Sequence, residues 1–221
     1  MARTTSRPRS GPDGSTEQRA STHHSLALKH VLRRFKAVGG TRILDLGPAV
    51  GRNVQYLGRF APKIHIADLY NTLKLLRSRR SPDNSRFGKI LDKDLPRADG
   101  RSFDLILAWD LLNYLDRPLV TQLSERLEKL CRRESLLFAL IANQRQIPDT
   151  PIRFLIIDAD TLRYESGSRK TRVAPQYKEP DLDRLMPSFE VETSYLLRNG
   201  MQEYVLSSRT LNPYPGASEN H

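Results

Sequence analysis

The sequence has little of several things, and each shortage excludes a class of protein. Its single cysteine, Cys131, cannot form an internal disulfide, which argues against a disulfide-framed secreted domain and suits a reducing, cytoplasmic setting. No stretch is apolar and long enough to span a membrane, and the amino terminus lacks the apolar segment of a secretion signal. We therefore expect a cytoplasmic protein without a membrane partner.

Negative charge is also scarce, since 25 acidic residues stand against 36 lysines and arginines, for a net charge of +11. Basic residues cluster at 33–36 and 74–80. Such clusters bind nucleic acids, but they also occur on solvated helix faces. Phe35 is the one aromatic residue within them, and it belongs to the apolar face of its helix, so no base-stacking platform is evident. Solvated helix faces are therefore the preferred interpretation, with a nucleic-acid partner as the alternative.

The composition divides the 221 residues into one domain with two tails. Residues 1–24 are rich in Ser, Thr, Arg, Gly and Pro, which predicts a disordered basic tail. Residues 25–210 suit a single domain, and residues 211–221 suit a second loose tail. Within the domain, residues 142–187 exceed the simple strand–helix alternation, so we expect an insertion that builds the substrate pocket. The sequence does not indicate an oligomeric state.

Residues 43–57 carry the main functional signal. An apolar run ends in an acidic residue, passes through a turn of small residues and continues with helical periodicity, which predicts a strand, a tight loop and a helix. A second apolar run at 64–67 ends in Asp68. An acidic residue at this place in a strand–helix–strand unit binds ribose hydroxyls. The chain is therefore predicted to bind a cofactor that contains adenosine.

The spacing of the loop distinguishes between cofactors. A dinucleotide fingerprint that starts at Gly47 would place Arg52 where helix and strand must pack closely, so it fits poorly. The pattern acidic-x-Gly-x-Gly-x-Gly fits better, with Ala as its one departure: Asp45, Gly47, Ala49 and Gly51. This stretch resembles motif I of the class I S-adenosylmethionine-dependent methyltransferases, and the resemblance extends over roughly residues 26–209.

The resemblance implies an α/β fold, namely a Rossmann-like three-layer sandwich. Its mostly parallel seven-stranded sheet would end in an antiparallel hairpin, for which Asn199-Gly200 between 191–197 and 202–207 is a strong turn signal. It also implies roles for further residues near the cofactor. Asp45 would organise the loop, Asp68 would bind the ribose, Asp92 after a third strand at 88–91 would face the adenine, and Trp109 would form a wall against adenine or substrate.

The implied reaction is methyl transfer from S-adenosylmethionine. A general base is needed only where the acceptor must lose a proton, and the candidates at the end of the fourth strand are Asp110, Asn113 and Tyr114. The alternative is that these residues and their leucine neighbours simply pack the turn. Asp158 and Asp160 are two carboxylates without further ligands, so we predict a polar turn there and no metal site.

The absence of two motifs narrows the range of acceptors that the chain is expected to methylate. Enzymes that methylate exocyclic base amines carry an Asn/Asp-Pro-Pro-aromatic segment, whereas this chain has Trp-Asp-Leu-Leu at 109–112. Cytosine C5 enzymes use a Pro-Cys nucleophile, but Cys131 follows Leu130. A small-molecule acceptor is therefore the first prediction. The alternatives are an RNA-directed methyltransferase, motivated by the charge, and a protein that binds S-adenosylmethionine without catalysis, motivated by Ala49 and the lack of an obvious base.

Overall fold

A six-stranded mixed sheet carries the fold of the computed structural model, which describes residues 19–38, 40–71, 73, 84–98 and 102–209. The strands of the described residues are β1 Arg19–His24, β2 Arg42–Asp45, β3 Lys63–Ile66, β4 Phe103–Trp109, β5 Cys131–Ala142, β6 Gln146–Pro148, β7 Arg153–Ile156, β8 Thr161–Ser166, β9 Thr171–Val173, β10 Phe189–Leu196 and β11 Met201–Ser208. The helices are α1 Leu26–Val38, α2 Gly51–Leu57, α3 Asn84–Asp94, α4 Arg117–Glu128 and α5 Glu179–Leu185, with a 3₁₀ turn at Leu111–Tyr114.

The sheet has the order β10-β11-β5-β4-β2-β3. Strand β2 runs parallel to β3 and β4, and β4 runs parallel to β5, whereas β11 is antiparallel to both β5 and β10. Strand β4 is buried along its whole length, which explains its continuous apolar sequence. Because β2, β3 and β4 are parallel, their carboxyl ends meet at one edge of the sheet, where open α/β sheets bind ligands.

The predicted third strand at 88–91 is wrong, because these residues belong to α3. Phe87, Leu91 and Leu95 are buried at intervals of four, the spacing of one helix face. A short apolar run does not distinguish a strand from a helix by periodicity. The described part of the sheet accordingly has six strands where seven were predicted, and it is a mixed sheet.

The predicted disorder of residues 1–24 is also wrong in part. Residues 19–24 form β1, which pairs antiparallel with β8, and β8 pairs in turn with β7. The apolar runs at 154–158 and 162–165 predict two short strands around 159–161, and these are confirmed as β7 and β8. A separate two-stranded ribbon joins β6 and β9. The rest of the amino-terminal tail and residues 210–221 lie outside the described residues.

The carboxy-terminal hairpin is confirmed. Strands β10 and β11 flank Asn199-Gly200, and Gly200 has φ 80°, a backbone conformation that the missing side chain permits. The spacing of the apolar residues at 26–35, with Gly39-Gly40 after them, also predicts a helix that buries one face and ends at these glycines. Helix α1 buries Leu28, Val31, Leu32 and Phe35. Among the described helices, none has both the length and the apolar character needed to cross a membrane.

The first turn of α1 is held by groups distant in sequence. The Ser25 hydroxyl accepts the N–H of Leu28 at 3.1 Å, as an N-cap, and the Ser25 N–H donates to the carbonyl of Asp160 at 2.7 Å. Glu203 on β11 is fully buried, and its carboxylate accepts the N–H of Ala27 at 3.1 Å. Burial raises the pKa of Glu203. This contact ties the start of the helix to β11, the second strand from one edge of the sheet.

We expect Glu203→Ala to lower the free energy of unfolding by about 1–3 kcal/mol, because it leaves a buried N–H of α1 without an acceptor. Glu203→Gln is the matched control: its amide oxygen accepts the same bond, so it should lose less than half as much. Urea unfolding of the wild type and both variants measures the difference. Equal stability of all three proteins would mean that the Ala27 contact contributes nothing.

Candidate functional site

The carboxyl ends of β2, β3 and β4 bring together three of the segments selected from the sequence. The loop 46–50 follows β2, Asp68 follows β3, and Trp109 with Asp110 ends β4. Two of these residues have positive φ without being glycine: Asp68 at 44° and Trp109 at 50°. Such conformations cost about 1–3 kcal/mol each and cluster at functional sites. The convergence of the three segments at this edge of the sheet, together with these two conformations, makes it the candidate site.

Asp45 holds the loop together from the end of β2. Its Oδ1 accepts the N–H of Gly47 at 2.9 Å and the indole N–H of Trp109 at 2.7 Å. Burial raises the pKa of Asp45 to about 6, although both hydrogen bonds oppose the rise. Asp45 therefore joins the loop after β2 to the end of β4. Its place in a cofactor site stays a prediction.

The Trp109 side chain covers the loop. Its ring stacks on Phe154 of β7, with centroids 5.6 Å apart, and meets Phe138 of β5 edge-on at 5.8 Å. A Cβ added at Gly47 would lie 2.7 Å from Cδ1 of the indole, so Gly47 is required by this close packing. At Gly51 an added Cβ would meet nothing within 4 Å. The free surface of the loop is therefore at its Gly51 end, and Ala49 is also exposed.

Asp68 lines a cavity of about 260 Å³ at the end of β3. Its Oδ2 accepts the side-chain amide N–H of Asn71 at 2.5 Å, which orients the carboxylate. Pro48 from the loop, Ile152 and Arg153 from the insertion, and Glu165 from β8 complete much of the lining. The cavity thus combines carboxylates with one guanidinium beside the loop.

Asp110 is fully buried one residue beyond the end of β4. Its Oδ1 accepts the hydroxyl of Tyr70 at 2.5 Å, and its Oδ2 accepts the N–H of Ile152 at 3.0 Å. Burial raises the pKa of Asp110 to about 7, against the effect of these hydrogen bonds, and the pKa of Tyr70 rises well above its usual value. A carboxyl with a pKa near neutrality can accept and release a proton under working conditions.

The other two predicted catalytic residues differ in their surroundings. The Asn113 amide donates to the carbonyls of Asp110 and Leu140 at 3.1 and 2.8 Å, and its oxygen accepts the N–H of Ala142 at 2.9 Å. The whole amide is therefore engaged with backbone. The Tyr114 hydroxyl donates to the carbonyl of Thr150 at 2.9 Å. Both residues border the cavity that Asp110 lines.

That second cavity has a volume of about 380 Å³, within the range of small-molecule sites. Besides Asp110 and its neighbours, side chains of β1, β8, β11 and the insertion line it. Ile152 belongs to the lining of both cavities, and Tyr70 in the first bonds to Asp110 in the second. The two cavities therefore adjoin, with the Tyr70–Asp110 pair between them.

The insertion is fixed to the loop side of the site. Asn53 on α2 donates its amide N–H to the carbonyl of Phe154 at 2.9 Å and accepts the N–H of Ile156 at 2.8 Å. The Arg52 guanidinium donates to the carbonyl of Ile156 at 3.2 Å. Strand β7 is thus bonded directly to the first turn of α2, and the insertion lines both cavities.

Asp92 lies apart from the other predicted residues in its structural setting. It belongs to α3, its side chain is 74% exposed, and it pairs with the Nε of Arg126 at 3.2 Å. The prediction that it faces adenine assumed a strand ending at residue 91. Because that strand is a helix, the reason for the assignment no longer holds.

The sequence missed four residues of the site: His23, Tyr70, Ile152 and Tyr164. His23 was assigned to a disordered tail, because the sequence of its strand does not alternate between apolar and polar residues. Tyr70 could have been found, since it lies two residues beyond the acidic end of β3. Ile152 and Tyr164 lie in the insertion, whose position depends on long-range pairing.

No family model matches the chain, and neither does any curated protein. Among solved structures it is similar to an S-adenosylmethionine-dependent methyltransferase from Clostridium acetobutylicum, at 13% identity and a TM-score of 0.48, over 82% of this chain and 90% of the other. It is also similar to an amino pentose methyltransferase from Micromonospora echinaspora with bound S-adenosylmethionine (13%, 0.46, 82% and 89%). A third is the 1,6-didemethyltoxoflavin-N1-methyltransferase of Burkholderia thailandensis (17%, 0.44, 83% and 78%).

Proposed function

We propose that the chain is an S-adenosylmethionine-dependent methyltransferase that acts on a small-molecule acceptor. The observation that carries the proposal is the pair of carboxylates at the ends of β3 and β4. Asp68 lines one cavity, Asp110 lines the next, and the two cavities adjoin at Ile152. One cavity for a cofactor and one for an acceptor, side by side, is what a direct group transfer between two bound molecules requires. The antiparallel hairpin beside the parallel strands agrees with the resemblance of the sequence.

The residues of the first cavity suit the cofactor. A carboxylate held by Asn71 gives Asp68 the acceptor atoms that ribose hydroxyls need. The open face at Gly51 leaves the loop accessible at that end. Asp68 would therefore hold the ribose, and the loop residues Pro48, Ala49 and Gly51 would lie against the rest of the molecule.

The bound cofactor would supply a methyl group on a positively charged sulfur that leaves as a neutral thioether. The chain's part is to align the acceptor and to receive its proton. Asp110 would perform the second task, because its pKa of about 7 keeps much of it ionised at neutral pH and able to take a proton from a hydroxyl or amine. Tyr70 and the N–H of Ile152 fix its two oxygens, so the carboxylate is oriented before the acceptor binds.

We expect Asp68→Ala to weaken binding of S-adenosylmethionine by about ten- to a hundred-fold, because it removes charge-assisted hydrogen bonds worth about 1.5–3 kcal/mol. Asp92→Ala is the matched control, since Asp92 is an exposed aspartate of α3, and its affinity should equal that of the wild type. Isothermal titration calorimetry measures all three, with NAD as the cofactor control. Unchanged affinity in a folded Asp68→Ala protein would contradict the assignment of the ribose site.

A second candidate is a cofactor-binding protein without catalysis. It is favoured by the packing of Trp109 over Gly47, which covers part of the loop that would approach the cofactor. The two candidate functions are distinguished by whether the protein forms S-adenosylhomocysteine. Formation of S-adenosylhomocysteine that depends on an added acceptor supports the methyltransferase, whereas cofactor binding without such turnover supports the alternative.

A further inference from the structure

The cavity of about 380 Å³ beside Asp110 lacks basic residues. The chain has 36 lysines and arginines, yet none lines this cavity among the described residues. The Arg172 guanidinium lies over the Tyr114 ring, 5.8 Å from its centroid, and is not part of the lining. The ionisable side chains in the lining, besides two tyrosines, are Asp110 and His23. The cavity therefore differs sharply in charge from the surface of the protein.

Neither of these two groups gives the cavity a positive charge at neutral pH. Burial lowers the pKa of His23, so its imidazole is neutral at neutral pH. Burial raises the pKa of Asp110 to about 7, so this carboxyl is only partly ionised there. An anionic ligand would lose its hydration in the cavity without gaining a cation, and the Asp110 carboxylate would repel it.

The apolar part of the lining is rich in flat surfaces. Tyr164 packs against His23 with ring centroids 4.6 Å apart, and Tyr114 contributes a third ring. Ile147, Ile152 and Met201 supply aliphatic surface. Rings and a flexible thioether accommodate a planar molecule through stacking and edge contacts.

One polar group in the lining lacks a completed bond. The Tyr164 side chain is 5% exposed, and its hydroxyl makes no hydrogen bond of normal geometry with the described residues. Burial raises the pKa of Tyr164, and the nearby Asn199 side chain only opposes that rise. A buried hydroxyl without a partner costs about 1–3 kcal/mol. A ligand that completes this bond would recover part of that cost, so the hydroxyl favours a ligand with one polar group.

We propose that this cavity binds an uncharged, mainly apolar aromatic molecule that carries a hydroxyl or amine group, and that it rejects carboxylates and phosphates. The claim that such a molecule is the methyl acceptor rests on the proposed function. The claim that the cavity binds it is tested without any cofactor. The amine or hydroxyl is the group that Asp110 could meet, and the ring is the part that the tyrosines and Met201 could surround.

The test compares 2-naphthol with 2-naphthoate, which share a ring system and differ in charge, by calorimetry with the full chain at pH 7.5. We expect 2-naphthol to bind at least about ten-fold more tightly, because the carboxylate must be desolvated without a partner. Equal or tighter binding of 2-naphthoate would overturn the proposal, as would failure to bind 2-naphthol.

Two variants of lining residues and one control variant locate the binding of 2-naphthol. Ile147→Trp fills the cavity and should weaken 2-naphthol binding at least about ten-fold, whereas Leu196→Trp, at a side chain 70% exposed and outside the lining, should leave it unchanged. Tyr164→Phe removes one hydroxyl with little change of volume and should weaken binding by about three- to ten-fold. Wild-type affinity in both lining variants would place the ligand elsewhere and overturn the proposal.

The outcome is separable from that of the proposed function. If 2-naphthol binds as expected while S-adenosylmethionine does not bind, the cavity assignment stands and methyl transfer fails. If S-adenosylmethionine binds and 2-naphthoate is preferred to 2-naphthol, the cofactor site stands and the class of acceptor is wrong.

Discussion

Asp110→Asn should lower kcat for methyl transfer by about 100- to 10,000-fold, the effect of removing a general base. The asparagine has nearly the same shape as the aspartate, but its amide cannot accept the acceptor's proton. Binding of S-adenosylmethionine should stay within about two-fold of the wild type, because Asp110 lines the adjoining cavity rather than the one that contains Asp68. Single-turnover rates with a saturating acceptor measure the change.

The pH profile provides the control for this prediction. The wild-type rate should rise with pH through about 7, where Asp110 loses its proton, and the residual rate of Asp110→Asn should lack that step. Asp92→Ala should keep both the rate and the step. A wild-type rate in Asp110→Asn would mean that Asp110 does not take the proton.

The same carboxyl links stability to pH. The folded-state pKa of Asp110, about 7, lies above the ordinary value of 3.8, so the folded protein binds this proton more tightly than the unfolded chain. Its contribution to stability is therefore complete below about pH 4 and is lost as the pH rises towards 7, with a slope of up to about 1.4 kcal/mol per pH unit. Asp45, with a pKa of about 6, acts in the same direction. In urea unfolding between pH 4 and 8, Asp110→Asn should flatten this decline.

Trp109→Ala should lower the free energy of unfolding by about 3–5 kcal/mol, the usual cost of deleting a large buried aromatic side chain. The indole is 2% exposed, stacks on Phe154, meets Phe138 edge-on and donates to Asp45. Its removal leaves a hole between the sheet and the insertion and deprives a buried carboxylate of a donor. Urea unfolding at pH 7 measures the loss.

Two companion variants divide this effect. Trp109→Phe keeps an aromatic ring but removes the N–H, so losing the bond to Asp45 should cost about 1–3 kcal/mol, and the smaller ring adds to that loss. Gly47→Ala places a Cβ 2.7 Å from the indole and should destabilise the wild type, yet add little in the Trp109→Ala background. If the effects of Gly47→Ala and Trp109→Ala on the free energy of unfolding are strictly additive, the packing of Trp109 on Gly47 is contradicted.

The sequence predicted the parts of the fold that short-range patterns determine. Asn199-Gly200 predicted its hairpin because such residues suit a tight turn, and Gly200 supplies the positive φ. The fourth strand was expected to end beside Asp110 and is β4, which ends at Trp109. The acidic residues Asp45 and Asp68 were expected at the ends of strands: Asp45 ends β2, and Asp68 lies two residues beyond β3. The cavities themselves were not predictable, because they depend on the insertion, whose contacts join distant positions.

The errors have local physical causes. The run at 88–91 contains too few residues to separate a period of two from one of 3.6, and its burial at intervals of four becomes evident only with Phe87 and Leu95. Strand β1 has no large apolar residue, so nothing in residues 19–24 indicates order. It is ordered because β8 offers a hydrogen-bonding edge. The pairing with β8 therefore determines the position of His23 in the cavity lining, and the local sequence of β1 does not reveal this pairing.

The pairing of β1 with β8 also constrains the order in which the parts of the chain can fold during synthesis. A ribosome synthesises residues 19–24 early, but their pairing partners at 161–166 come much later. The start of α1 waits longer still, since Ala27 and Glu203 are 176 positions apart in the chain. Until residues 161–166 have been made, this amino-terminal strand has no native partner. The side of the cavity that carries His23 therefore forms only after most of the polypeptide has been synthesised.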